Sequence, residues 1–194
     1  FGMSPTWSAV HPTAASIDSI LQCIDEAIAA SDQYVQKKEE RIAYLKSRAD
    51  QAETLSAKYE LTYQLYAEYL PFVNDSAIYY LERCADIARQ MGDESKAGGC
   101  LSLTALCCSN AGMYVESEAI LKNINPEKLH GIDVGLYYYA YGHISGELAY
   151  YGKFENMRRQ YAEASTNYFL LAQNNLPADH KYHNQCREML AQSR

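Results

Sequence analysis

Three stretches of this sequence carry the same row of small and apolar positions at the same phase, forty residues apart. The rows are Ala77-Leu81-Cys84, Ser117-Leu121-Ile124 and Met157-Tyr161-Ala164. Two of them follow matching turns. Gly112-Met113-Tyr114 is preceded by Ala105 and Cys108, and Gly152-Lys153-Phe154 by Ser145 and Leu148, at identical offsets. Self-similarity of this kind restricts a chain to arrays in which each unit buries its apolar face against the next.

The units are helical. Ile17, Ile20, Leu21, Ile24, Ala27 and Ile28 follow the i, i+3, i+4, i+7 spacing of an amphipathic helix. Ser31 and Asp32 are good N-caps, so a second helix is expected over 31–52, with Val35, Ile42, Leu45 and Ala49 on its apolar face. Further helices are expected over 54–70, ended by Pro71; 74–91, capped by Asn74–Asp75 and ended by Gly92; and 94–110, capped by Asp93 and ended by Gly112. Then come 114–124, a short turn at Asn125–Pro126, 133–151 capped by Asp133 and ended by Gly152, 154–175, and 178–192 behind Pro177. No window alternates as a strand does, and the links are short, which makes neighbours antiparallel. The expected fold is an all-α antiparallel helix-hairpin array. Its parts are an extended arm or signal-peptide remnant over 1–15, a helical hairpin over 16–52, three helix pairs over 53–176 and a capping helix over 177–194. Because it opens on Phe1, the chain is expected to be a cut or processed product.

The glycine–aromatic turns and the rows behind them resemble the tetratricopeptide-repeat family over about 58–171. The resemblance implies a right-handed superhelix whose concave groove is lined by the first helix of each pair. It places Tyr139, Gly142, Gly146, Ala149 and Tyr150 in that groove, with Tyr63 and Tyr66 as the third-helix candidates. The sequence departs from the family in several ways: its period exceeds the usual ~34 residues, Ser117 and Met157 stand where alanine is usual, and Phe72 and Asn74 replace the turn residues of the first copy. More narrowly, "SDQYVQKKEERIAYLK", "KYELTYQLYAEY" and "NDSAIYYLERCADIARQMGD" are similar to the extracytoplasmic repeat region of a Bacteroidetes family of membrane-anchored regulators. This implies a sensory or interaction region at the periplasmic face of the inner membrane, with its membrane anchor outside this chain.

Composition narrows the function. The net charge of −7 gives no basic footprint for nucleic acid. Nucleophile elbows and phosphate loops are missing, so no enzyme, cofactor or catalytic residue is expected. The six cysteines have no C-x-x-C spacing and read as buried small hydrophobes rather than a disulfide framework. Free thiols favour a reducing compartment, so a cytoplasmic location stands as the alternative. His180 and His183 lie near Cys186 but read as scattered on a surface helix, and no metal is expected. The 18 tyrosines have two readings. They fill the core with hydroxyls reaching water, or they line a groove for a peptide, protein or other extended ligand. On the second reading the candidates are Tyr63, Tyr66, Tyr139, Gly142, Gly146 and Tyr150. The alternative function is binding of a glycan or nutrient at the cell envelope.

Overall fold

The computed structural model describes residues 14–192. Most of the expected arm therefore lies outside the described residues; its last two residues, Ala14 and Ala15, already belong to the first helix. The chain divides into two compact units, one ending at Ala43 and the other beginning at Tyr44.

The first unit is helical and belongs to α1 (Ala14–Asp50). The expected hairpin with a break at Ser31–Asp32 is not formed, because α1 runs through both residues. A cap residue only permits a helix to start there; ending the preceding helix needs a breaker. No glycine or proline occurs between Ala14 and Asp50, and side-chain bonds one turn apart, Gln22 to Glu26 at 3.0 Å and Gln36 to Glu40 at 2.9 Å, support the continuous helix.

The second unit holds the last turns of α1, with Leu45 and Ala49 buried, followed by α2 (Leu55–Tyr69), α3 (Asn74–Gln90), α4 (Glu94–Asn110), α5 (Tyr114–Lys122), a 3-10 turn (Pro126–Lys128), α6 (Ile132–Tyr151), α7 (Glu155–Asn175) and α8 (Lys181–Gln192). The unit is all-α, and no strand occurs among the described residues. Helices pack as consecutive pairs, α2 on α3, α4 on α5 and α6 on α7, and the pairs join through α3–α4, α4–α6 and α7–α8. No helix among the described residues is long and apolar enough to cross a membrane.

The turns show why the pairs close. Gly92 and Gly112 take left-handed φ values of 73° and 78°. At both, an amide beyond the glycine reaches back into the helix: Asp93 N donates to Ala88 O and Met113 N to Cys108 O, each at 2.9 Å. Gly152 ends α6 differently. Its φ is −61°, and a side chain there would meet Leu148 O and Arg158 at 2.8 Å, so it serves close approach rather than handedness. Thr54 and Asp93 cap α2 and α4 through the amides of Ala57 and Lys96. Two expected caps are replaced. Val73 precedes α3, and Asn74 donates instead to Cys107 O at 3.2 Å. Gly131 precedes α6, and Asp133 turns toward α4 to accept from Ser95.

The repeated rows are buried in two copies of three. Ala77, Leu81 and Cys84, and Ser117, Leu121 and Ile124, lie in the core. Met157 is 44 % exposed, and Tyr161 and Ala164 are only half-buried. In α7 the buried positions move towards its C-terminus, to Ser165, Phe169 and Ala172. Five cysteines are buried, Cys23 is exposed, and all six are free. The glycine pair at 98–99 is explained by packing: Leu129 and Ile124 occupy the space beside Gly98, and the Asp133 side chain occupies the space beside Gly99.

Candidate functional site

The first helix of each pair, α2, α4 and α6, contributes to one groove of about 270 Å³, closed at one end by the start of α8. Tyr59 and Tyr63 come from α2, four residues apart and so on one face. Lys96, Gly99 and Cys100 come from α4, Asp133 and Leu136 from the first turns of α6, and His180, Lys181 and Tyr182 from the α8 end.

The groove is aromatic with charge at its rim. The Tyr59 and Tyr63 rings stack with centroids 6.2 Å apart. Lys96 Nζ lies 4.9 Å above the Tyr59 ring and Lys181 Nζ 4.5 Å above the Tyr182 ring. The Tyr59 hydroxyl is 3.2 Å from Cys100 Sγ. Burial pushes the Tyr63 phenol up to about 12 and raises that of Tyr59 further, so both remain neutral hydrogen-bonding groups at physiological pH. Partial desolvation lowers the pKa of the Lys181 ammonium, although the residue as a whole is exposed. The Cys84 thiol is raised, first because it donates to Cys100 and second by burial.

Asp133 anchors the groove wall. Its Oδ2 accepts from Ser95 Oγ at 2.7 Å, and Ser95 Oγ accepts from the His130 amide at 3.0 Å. Burial lifts its carboxyl above the ordinary 3.8, outweighing the lowering effect of the Ser95 bond. A folded-state pKa above the unfolded one means that this group favours folding below the unfolded value and loses that contribution as pH rises through the folded value. Asp133→Asn keeps an acceptor for Ser95 and cannot ionise. Its urea midpoint is therefore expected to gain on the wild-type midpoint as pH rises from about 4 to 7. Equal pH slopes in the two proteins would show that the carboxyl does not titrate in this window.

The six residues expected to line one groove are divided by the structure. Tyr63 lines the groove. Tyr66 is 3 % exposed and Tyr139 6 % exposed, so both are core. Tyr66 packs edge-on against Tyr63 at 5.2 Å, and Tyr139 stacks on Tyr182 at 4.4 Å. Gly142 is buried against the Phe169 ring, which occupies the place of its missing side chain. Gly146 and Tyr150 line a second cleft of about 470 Å³ between α6, α7 and α8, with Arg158, Thr166 and Met189; there Tyr150 is 79 % exposed.

The cause is α8. At 100° per residue, Ile132, Leu136, Tyr139, Gly146 and Tyr150 fall on one stripe of α6. Helix α8 crosses the middle of that stripe, placing Tyr182 on Tyr139 and bringing Gln185 Oε1 to accept from the Tyr139 hydroxyl at 2.8 Å. The stripe is therefore open at its start and its end and covered between. Sequence reasoning missed Tyr59, Lys96, Gly99 and Asp133. A signal for two of them was present: one and two repeat lengths before Tyr139 stand Gly99 and Tyr59, and both border the groove.

The chain matches the family model described as the SusR N-terminal TPR domain over residues 28–194. No curated protein and no solved structure matches it. With that match covering most of its length, the chain belongs to the SusR N-terminal TPR domain family, a tetratricopeptide-repeat family.

Proposed function

We propose that this chain acts by binding, not catalysis, as the interaction region of a membrane-anchored regulator, and that it holds an extended peptide or protein segment in the groove across α2, α4 and α6. The observation that carries this reading is the convergence of Tyr59 and Tyr63 with Lys96 and Lys181 at one opening. Neutral tyrosines offer wide apolar faces and hydroxyls for a peptide backbone at little entropic cost. An acidic ligand group beside Lys181 would return to that ammonium the charge stabilisation that burial removes. Membership of the SusR N-terminal TPR domain family supports the regulator part of this reading. On this reading the anchor lies outside residues 1–194, the groove faces the periplasm at the inner membrane, and ligand capture is the signal passed on.

Selection of a random peptide library on the purified chain tests the proposal. Enriched peptides are expected to bind the wild type and to lose about tenfold in affinity or more with Tyr63→Ala, Lys96→Glu or Lys181→Glu, each loss being at least ~1.4 kcal/mol. Enrichment of no peptide, or binding indifferent to all three changes, overturns it. So does glycan binding that the same changes abolish in the absence of any peptide binding.

A further inference from the structure

The first unit shows a helix face that a water-soluble helix does not leave bare without reason. Ile17, Leu21, Ile24, Ile28 and Val35 are between 44 % and 64 % exposed. Their spacing alternates four and three residues, with Ser31 in the one interrupted layer. Continued along α1, the same alternation passes Lys38 and reaches Ile42, Leu45 and Ala49, of which Leu45 and Ala49 are buried in the second unit. A sustained 3.5-residue period is the pattern of a helix that winds on another helix.

We infer that residues 17–35 form the seam of a parallel coiled coil with the same helix of a second copy of this chain. Each seam layer then meets itself across a symmetry axis, so an identical helix is sufficient as partner. Ile20 and Tyr34, both more than half exposed, widen the face. Together the exposed apolar side chains offer on the order of 700 Å² per chain, close to the ~800 Å² per partner of a stable interface. The orientation follows from charge. Asp18, Asp25, Asp32 and Glu39 recur every seven residues on one flank of the seam, and Ile20, Ala27 and Tyr34 on the other. A parallel pair sets the acidic flank of one helix beside the apolar flank of its mate. An antiparallel pair sets acid against acid. The same acids argue against a lipid surface as occupant. Residues 14–36 contain Asp18, Asp25, Glu26 and Asp32 and no lysine or arginine, whereas interfacial helices carry basic polar faces.

Sedimentation of the full chain at micromolar concentration tests the inference. The wild type is expected at two or a higher whole number of 21.9 kDa masses. Ile24→Asp with Ile28→Asp is expected to weaken association about tenfold or more while leaving the thermal transition of the repeat unit in place, since both side chains are already exposed. In a Cys23→Ser background, which removes the exposed native thiol beside it, Ile24→Cys is expected to cross-link to itself on oxidation, because parallel register brings the two positions together. A monomeric wild type, or association untouched by the double substitution, overturns the inference. Failure of the Ile24→Cys chain to cross-link overturns the parallel arrangement, and co-sedimentation of a monomeric wild type with anionic vesicles replaces the second copy by a membrane.

Discussion

Phe169→Ala is expected to lower the unfolding free energy by about 3–5 kcal/mol and the melting temperature by roughly 10 °C, read from urea and thermal unfolding. The Phe169 ring is buried and fills the space that Gly142 leaves empty on α6. Its centroid lies 5.6 Å from that of Tyr139, which in turn stacks on Tyr182 of α8. The ring therefore joins three helices. The facing residue, Gly142, has no side chain with which to refill the gap, and so most of the cavity cost should persist. Met157→Ala, twelve residues earlier on the same helix but exposed, is expected to change stability by less than ~0.5 kcal/mol. Similar losses at the two positions would show that α7 packs in a different register.

The central residue of the repeated row gives the second large effect. Leu81→Ala and Leu121→Ala should each cost about 2–5 kcal/mol, since both side chains are fully buried between consecutive helices. The equivalent Tyr161→Ala should cost less than ~1 kcal/mol, because a half-buried ring that keeps its edge in water loses little on truncation. Three equal losses would mean that the third copy is packed like the first two.

These rows mark what could be read from the residues alone. The forty-residue phase marked α3, α5 and α7, the second helix of each pair, because small and apolar side chains must recur wherever one helix pair meets the next; the other helices were read from their caps and breakers. The left-handed turns at Gly92 and Gly112 were legible for a similar reason: only glycine takes that conformation without strain. Other features depended on distant partners. Asp133 has the chemistry of a cap, yet Ser95 on another helix offers it a better-buried bond. Ser31 and Asp32 are permitted starts, but with no breaker near them the helix continued. The tyrosines were ambiguous because a ring four residues from another shares its face without revealing what covers that face. Tyr63 proved open and Tyr66 closed, although they lie on adjacent turns of one helix. Tyr139 was misplaced because the route of α8, set by the loop after Leu176, has no counterpart in the repeat pattern.

Helix α8 packs on α7 and also forms one wall of the groove. Tyr182 covers the Tyr139 ring below, while Lys181, the residue before it, stands at the opening. Those two tasks share a single turn of helix. On the proposed function, refitting this wall to a different ligand also resets how firmly α8 closes over the α6–α7 core. A substitution at the wall is therefore coupled to the α6–α7 core beneath it.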